Sequence, residues 1–140
     1  MKIEEIEKEI CEEFELLGNE WEGKYEYLID LGKSLPLIED KYKTEERLIK
    51  GCQSRVWLHS EIKAGKVFYT ADSDAIITKG MVALMVRILS GNTPEEIVNA
   101  KLDFVDKIGL KEHLSPTRAN GLVNMIKQMK LDALALKARA

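Results

Sequence analysis

The sequence has no long apolar run and no excess of positive charge. None of its apolar runs reaches the roughly 20 residues that a membrane-spanning helix needs. Its 24 Asp and Glu residues outnumber its 21 Lys and Arg residues, so the net charge is -3, which does not favour a nucleic-acid partner. The N-terminus is too acidic and too interrupted for a signal peptide. We therefore expect a cytoplasmic protein that acts without membrane or nucleic acid.

Cysteine and histidine are also scarce, which limits the kinds of site the chain can build. The 2 cysteines, Cys11 and Cys52, do not make a disulfide framework. Together with His59 and His113 they are scattered along the chain, whereas zinc and iron–sulfur sites use about four ligands, often in short paired spacings. We therefore expect no bound metal. In a reducing compartment each thiol is then either a small buried hydrophobe or a working nucleophile.

Apolar residues at helical spacing predict two helices near the N-terminus, at residues 2–17 and 21–32. The first has a Glu-rich face that we expect to be solvated. Cys11 lies beside its apolar stripe and is expected to be a partly buried filler. A third segment, residues 75–89, predicts a largely buried helix, with an Asp or Ser before it as a natural N-cap.

The C-terminal half predicts two further helices with clear starts. Residues 93–96 (TPEE) combine Thr at the N-cap, Pro at the first helical position and Glu at the third. Ser115 and Pro116 start the last helix in the same way, and it is expected to run to about residue 138. Its tail is basic and rich in Ala from Lys127 onwards, so we expect that tail to fray.

Between these helices, β-branched and aromatic residues predict a hairpin. Residues 56–62 and 67–70 are the strands, and residues 63–66 suit the turn. Trp57 is expected to anchor the core. At 140 residues the chain is expected to form one domain, residues 1–140, of the α+β class: a small antiparallel sheet with helices packed on one face.

Residues 51–57 (GCQSRVW) stand out because they place a thiol just before the first predicted strand. Gly51 gives the backbone beside Cys52 unusual conformational freedom and removes one neighbouring side chain. A reactive thiol needs such access, together with a rigid element that holds it. Cys52 is therefore the candidate nucleophile.

Three stretches resemble the motifs of the SufE family, the accessory proteins of cysteine desulfurases. They are residues 51–57, residues 71–75 (ADSDA) followed by Lys79 and Gly80, and residues 113–122 (HLSPTRANGL). Their order and spacing fit the family, and residues 25–36 are also similar to its N-terminal part. The resemblance therefore covers nearly the whole chain. It implies a fold shared with the IscU-type scaffold proteins and a sulfur-transfer role without a bound cofactor.

The resemblance also implies the partners and the direction of transfer. Cys52 would accept persulfide sulfur from a SufS-like cysteine desulfurase, stimulate that enzyme, and pass the sulfur to a SufBCD-like iron–sulfur scaffold complex. Whether such a carrier counts as an enzyme in its own right stays open. The sequence does not say which desulfurase or acceptor is served, and a homodimer is among the oligomeric states that it leaves open.

Several residues are candidates to support the thiol loop. Asp72 and Asp74 are expected first as helix caps, and secondly as acceptors for backbone N–H groups of the loop. Arg55 or Arg118 could favour the thiolate, and Arg47 and Arg55 stand where some relatives carry uncharged residues. His113 is expected to be a structural residue beside a helix rather than a proton donor. The predicted site comprises Cys52 as the sulfur acceptor, with Gly51, Gln53, Ser54, Asp74 and Arg118 as its support.

Two other functions use the same thiol differently. A stand-alone thiol redox enzyme, such as a peroxidase, would need a second thiol to resolve its oxidised form, but Cys11 is remote in sequence and no CxxC motif is present. A structural adaptor would bind and stimulate the desulfurase without carrying sulfur. Stimulation that survives Cys52→Ala would favour the adaptor.

Overall fold

The computed structural model of the chain describes residues 3–18, 20–49, 54–102 and 116–139, apart from the side chains of residues 116–118. Within these residues the main elements are five helices and one hairpin, and two short 3-10 turns precede the hairpin. In chain order they are α1 Ile3–Leu16, α2 Trp21–Lys33, the 3-10 turns Asp40–Tyr42 and Glu45–Arg47, β1 Val56–Lys63, β2 Lys66–Ser73, α3 Ile76–Leu89, α4 Pro94–Asn99 and α5 Pro116–Arg139.

The hairpin forms as its sequence predicts. β1 and β2 pair antiparallel in register from Val56 opposite Ser73 to Lys63 opposite Lys66. The two turn residues, Ala64 and Gly65, both have positive φ (51° and 78°), as a tight two-residue turn between twisted strands requires. The opposite end, where β1 begins and β2 ends, is called here the open end of the hairpin.

The helices cover one face of this hairpin, which confirms the predicted α+β fold. Leu58, Val67 and Ala71 point to that face and are buried. Tyr69, also on that face, is 1% exposed and donates its hydroxyl to the Met129 carbonyl of α5 at 2.7 Å. α3 packs on β2 and α5 packs on β1, so alternate residues of both strands enter one core.

α2 and α3 approach closely because glycines stand at their contact. A Cβ on Gly80 would lie 2.6 Å from the Leu28 carbonyl carbon and closer still to its oxygen. A Cβ on Gly32 would lie 3.1 Å from the Gly80 nitrogen. The backbone of one helix therefore rests on the backbone of the other, and position 80 has no room for a side chain.

The Glu-rich face of α1 is only partly solvated. Arg87 of α3 reaches Glu13 at 2.7 Å and Glu9 at 3.4 Å, and the Tyr27 hydroxyl also donates to Glu13. On the opposite face Ile3, Ile10 and Phe14 are buried, as the apolar spacing predicts. Cys11 is partly buried against the core, which confirms its predicted packing role.

α4 and α5 support each other, and the predicted fraying of the C-terminal tail is wrong. Thr93 caps α4 with the complete capping box that the sequence predicts. α5 continues to Arg139, with Met129 and Ala133 buried. Lys130 reaches the Ala100 carbonyl at 2.6 Å. The tail stays helical because one of its faces packs on the core, an interaction that a count of basic residues does not reveal.

Residues 36–49 cross the outer face of the hairpin, and we call them the crossing segment. Near its start, Pro36 and Ile38 bond to Ala71 on the outer edge of β2. At its end, the Ile49 N–H donates to the Val56 carbonyl at 2.9 Å, on the outer edge of β1. The segment thus ends at the open end of the hairpin, immediately before residues 50–53. Among the described helices, none is long and apolar enough to cross a membrane.

Candidate functional site at the open end of the hairpin

Cys52, Gly51 and Gln53 lie outside the described residues, but the residues on both sides of them are described. Ile49 is 6% exposed and is bonded to Val56 at the start of β1. Ser54 and Arg55 lead directly into that strand. Both ends of the stretch that carries the thiol are therefore fixed at the open end of the hairpin.

Asp74 holds the strand side of that stretch. Its Oδ1 accepts the Arg55 N–H at 3.1 Å, and its own N–H donates to the Arg55 carbonyl at 3.3 Å. This pair of bonds joins the residue just before β1 to the residue just after β2. A role of Asp74 as a helix cap is excluded, because Ala75 is the N-cap of α3 and that helix start has no side-chain cap bond. The Asp74 carboxylate is engaged by the other strand instead.

Asp72 was also expected as a cap, and here too the prediction is wrong. Its carboxylate accepts Lys43 at 2.8 Å and Lys79 at 3.3 Å, together with the Ser73 N–H at 2.8 Å. Partial burial is the largest single influence on its ionisation and opposes it. The hydrogen bonds from Lys43, Ser73 and Lys79 outweigh burial and lower the pKa of Asp72. Asp72 therefore ties the crossing segment and α3 to the end of β2.

The charged side chains at the open end balance in number. Lys43, Lys79 and Arg55 carry three positive charges, and Asp72, Asp74 and Asp40, which is 3.5 Å from Lys43, carry three negative ones. Arg55 is exposed, whereas the side chains of Lys43 and Lys79 are 31% and 28% exposed. A thiolate that approaches this end would meet the exposed Arg55 guanidinium, and a nearby cation favours ionisation of a thiol.

The sequence interpretation missed a cluster around His59 on the outer face of β1. The Tyr42 ring stacks on His59 at 3.8 Å between centroids. Arg47 Nε donates to His59 Nδ1 at 3.2 Å, so the other ring nitrogen carries the proton and donates to Glu61 at 2.8 Å. The hydrogen bond from His59 is the largest cause of the lowered pKa of Glu61. The alternation of residues 57, 59 and 61 along a strand was the signal that could have placed His59 on this face.

The same alternation corrects the expectation for Trp57. Trp57 lies on the outer face, partly exposed, with the Lys43 ammonium 5.7 Å from its ring centroid. It covers the Asp72 ion-pair cluster rather than the core. Arg47 turns to His59, with its guanidinium carbon 4.4 Å from the Tyr42 ring centroid. The positive charge of Arg47 therefore lies beside the crossing segment.

Two further predicted residues lie wholly or partly outside the described residues. Arg118 belongs to the first turn of α5, but its side chain lies outside the described residues, as does the whole of His113. Within the described ranges, no three His, Cys, Asp or Glu side chains gather as metal ligands would. The absence of a metal or other cofactor stays a prediction.

Comparison with known proteins identifies the family of this chain. The model of the SufE family, described as an Fe-S metabolism associated domain, matches residues 8–133. SufE-like protein 1 of Arabidopsis thaliana, described as chloroplastic/mitochondrial, is 40% identical over 140 residues, which are 98% of this chain and 38% of that protein. The chain thus spans well under half the length of that relative.

Two bacterial relatives are closer in length. An uncharacterized SufE-like protein of Rhizobium meliloti is 43% identical over 130 residues, covering 89% of this chain and 92% of that protein. One of Synechocystis sp. is 40% identical over 114 residues, covering 81% and 72% respectively. A solution structure of a hypothetical protein from Thermus thermophilus has the same fold, with a TM-score of 0.78, 21% identity and coverage of 95% and 96%. The chain belongs to the SufE family, whose domain is associated with Fe–S metabolism.

Proposed function

We propose that this chain is a sulfur acceptor that takes persulfide sulfur from a cysteine desulfurase onto Cys52 and passes it to an iron–sulfur cluster scaffold. Membership of the SufE family supports a role in Fe–S metabolism. The finer proposal depends on the thiol of Cys52 and on the structure that surrounds it.

The transfer step is an exchange between two sulfur nucleophiles. The Cys52 thiolate attacks the outer sulfur of the desulfurase persulfide, and a new S–S bond forms at Cys52. The old S–S bond breaks, and the desulfurase cysteine leaves as a thiolate. No net oxidant or reductant is consumed, and the rate depends on the thiolate fraction, nucleophilicity and accessibility of the attacking thiol.

The main observation behind this proposal is that both ends of the stretch that carries Cys52 are bonded to the rest of the fold. Ile49 is bonded to Val56, and Arg55 is bonded twice to Asp74. The loop that carries an acceptor thiol must enter the site of another protein. The two ends of that loop must meanwhile stay attached to the fold. Two anchored ends on a rigid hairpin meet that requirement, and a thiol buried in the core would not.

Electrostatics supports the same role. In the described part of the chain Arg55 has no carboxylate within ion-pair distance, and such a cation favours the thiolate before transfer and the ionised persulfide after it. Arg55, which is exposed and three residues after Cys52, is the closest described cation in sequence. Lys43 and Lys79 are shared with Asp72, so their influence on the thiol is weaker.

The test uses the whole chain, a SufS-like desulfurase and free cysteine, followed by intact mass measurement without reductant. The wild type and Cys11→Ser should each gain the mass of one sulfur atom, and Cys52→Ser should gain none. A Cys52→Ser variant that still gains sulfur, or a wild type that never does, contradicts the proposal.

The adaptor function is tested by measuring desulfurase turnover with a further variant, Cys52→Ala. If Cys52 carries sulfur onwards, Cys52→Ala should remove the stimulation of desulfurase turnover. If Cys52→Ala still stimulates the desulfurase, docking alone explains the stimulation. Sulfur acceptance at Cys52 would then not be its cause.

A further inference from the structure

Between its two backbone attachments, the crossing segment is held on the hairpin by side chains. Lys43 reaches Asp72 at 2.8 Å. Tyr42 and Arg47 both reach His59 of β1, whose side chain is 13% exposed. The Tyr42 ring stacks on His59 with an angle of 7° between the ring planes, and Arg47 Nε donates to His59 Nδ1 at 3.2 Å. His59 therefore joins two side chains of the segment to β1.

The bonds of His59 fit one protonation state of its ring. A guanidinium can only donate, so Nδ1 must accept from Arg47 and carries no proton. Nε2 then carries the proton and donates to Glu61 Oε1 at 2.8 Å. The neutral ring with its proton on Nε2 makes both bonds, whereas the other tautomer and the charged ring each lose the bond from Arg47.

Protonation of His59 would act on Arg47 rather than on the other two contacts. A proton on Nδ1 would set one N–H against another, on two positively charged groups whose nitrogens are 3.2 Å apart. The Nε2–H would still donate to Glu61, and a charged ring can still stack on the face of Tyr42. The hydrogen bond from Arg47 is therefore the contact that protonation breaks.

Charges of both signs surround His59 in the described part of the chain. Arg47 and Glu61 are bonded to the ring, and Thr70, which lies opposite His59 on β2, is uncharged. The other charged or titratable side chains on the elements around it are Lys41, Tyr42, Lys43 and Glu46 of the crossing segment, Lys63 of β1, Asp72 of β2, and Asp132 and Arg139 of α5. Of these described groups, the guanidinium of Arg47 and the carboxylate of Glu61 are the two in direct contact with the ring nitrogens.

Arg47 stands just before the stretch that carries Cys52. Two residues after it, the Ile49 N–H donates to the Val56 carbonyl at 2.9 Å, and residues 50–53 follow. The other end of the crossing segment is attached separately, where the Ile38 N–H donates to the Ala71 carbonyl at 3.2 Å. Loss of the Arg47 contact would therefore weaken the attachment of residues 47–49 and leave the start of the segment in place.

We propose that His59 is a pH-sensitive positioning residue for the end of the crossing segment that leads into the Cys52 stretch. The neutral ring holds Arg47, and with it residues 47–49, on the hairpin. Protonation of the ring releases them while Glu61 and Tyr42 keep their contacts with His59. The release concerns residues 47–49 and needs no sulfur, so the inference goes beyond the proposed function and does not depend on it.

The test follows the ¹⁵N-labelled Cys52→Ser chain by NMR between pH 8 and pH 5. At pH 8 the imidazole nitrogens of His59 should show the proton on Nε2. As the ring becomes protonated, the protection of the Ile49 amide against hydrogen exchange, corrected for the intrinsic effect of pH, should fall about tenfold. The fall should have the same midpoint as the titration of the His59 ring. The Ile38 and Tyr69 amides should keep their protection, because neither depends on Arg47.

Matched variants separate this role from a merely structural one. Arg47→Met keeps an unbranched side chain without the donor, so the Ile49 amide should be weakly protected at both pH values and show no response. His59→Asn sets an amide oxygen where Nδ1 accepts and does not titrate, so protection at pH 5 should equal that at pH 8. Lys41→Met, which removes a charge from the same segment, should keep the response of the parent chain.

Four results overturn the proposal. They are a His59 ring that carries its proton on Nδ1 at pH 8, a ring that stays neutral down to pH 5, an Ile49 response that persists in Arg47→Met, and an equal fall in protection at Ile38 and Ile49. If asparagine at position 59 disturbs the strand, the comparison of the parent chain with Arg47→Met decides the question alone. Since every chain carries Cys52→Ser, none of these results depends on sulfur transfer.

Discussion

Residues 72–80 connect two regions that are held together in different ways. At Gly80 the backbone of α3 rests on the backbone of α2 with no room for a methyl group. Eight residues earlier, Asp72 gathers Lys43 and Lys79 around one carboxylate, and Asp74 bonds to Arg55. The first contact is close packing of two helix backbones, and the second is a set of separate polar bonds near solvent.

The difference indicates what each region can tolerate. A close-packed helix contact resists any added atom, because the surrounding structure must move to admit it. Polar bonds at a partly exposed site are each worth little and can be broken one at a time without unfolding the chain. The family motif at residues 71–80 therefore combines a part that packs two helices together with a part that bonds to the residue before β1.

The largest effect is expected from Gly80→Ala. The new Cβ would lie 2.6 Å from the Leu28 carbonyl carbon, so the two helices must separate. We expect a loss of about 3 kcal/mol in the free energy of unfolding, even though alanine favours helix. Urea unfolding followed by circular dichroism measures it.

Two other helical glycines are its controls. Gly32→Ala, whose Cβ would meet the Gly80 nitrogen at 3.1 Å, should cost less than Gly80→Ala. Gly23→Ala meets nothing within 4 Å and should stabilise the chain by about 0.5–1 kcal/mol. Equal effects at positions 80 and 23 would mean that close packing at Gly80 is not what joins these helices.

Tyr69→Phe should have the next largest effect. It removes the 2.7 Å bond to the Met129 carbonyl and leaves that carbonyl without its hydroxyl partner in the core. A loss of about 1–2 kcal/mol is expected for a buried bond of this kind. Burial, followed by the nearby charge of Asp132, raises the pKa of Tyr69 well above its usual value, so the hydroxyl stays a donor at any ordinary pH. Val123→Ala, on an exposed part of α5, should change the unfolding midpoint much less.

Asp72→Asn should cost no more than about 1 kcal/mol at neutral pH, since solvent screens ion pairs of this exposure. The pKa of Asp72 is lowered in the fold. Its contribution is therefore fully present above the unfolded value of about 3.9, and it is lost as the pH falls through the lower folded value. The difference in unfolding midpoint between wild type and variant should therefore be smaller at pH 3 than at pH 7. A gap that is the same at both values would mean that the charge of Asp72 does not matter.

The smallest change in stability, about 0.5 kcal/mol, is expected for Asp74→Ala. Its local effect should be clearer, because the Arg55 N–H loses its acceptor while the rest of the hairpin keeps its register. Hydrogen exchange should speed up at the Arg55 amide and stay unchanged at Tyr69. Asp72→Asn is the control, since its carboxylate does not accept from Arg55. Unchanged exchange at Arg55 would contradict an anchoring role for Asp74.

Local signals in the sequence predicted the hairpin and the start of α4 because each depends on a few adjacent residues. The turn at Ala64 and Gly65 and the capping box of Thr93 and Glu96 are both present in the structure. The apolar spacing of α1 and α3 also predicted which of their faces are buried. These features depend on contacts within about four residues, which a sequence displays directly.

Apart from Trp57, whose face follows from the alternation along β1, the errors concern partners that are distant in sequence. Asp72 and Asp74 look like caps, but Lys43 and Arg55 compete for them from other elements. The end of α5 is expected from the sequence to fray. In the structure this helix is held by Tyr69, which lies on a strand and 60 residues before its partner Met129. The roles of Cys52, Gly51, Gln53, Ser54, Asp74 and Arg118 stay predictions, as do the single domain and the cytoplasmic location.

The most direct test of sulfur acceptance at Cys52 is to locate the sulfur itself. After incubation of the wild-type chain with a SufS-like desulfurase and cysteine, alkylation and digestion without reductant would separate the peptides of the two cysteines for mass spectrometry. We predict a persulfide on the Cys52 peptide and none on the Cys11 peptide, whose thiol packs against the core. Sulfur on Cys11, or equal amounts on both cysteines, would contradict the assignment of Cys52 as the acceptor.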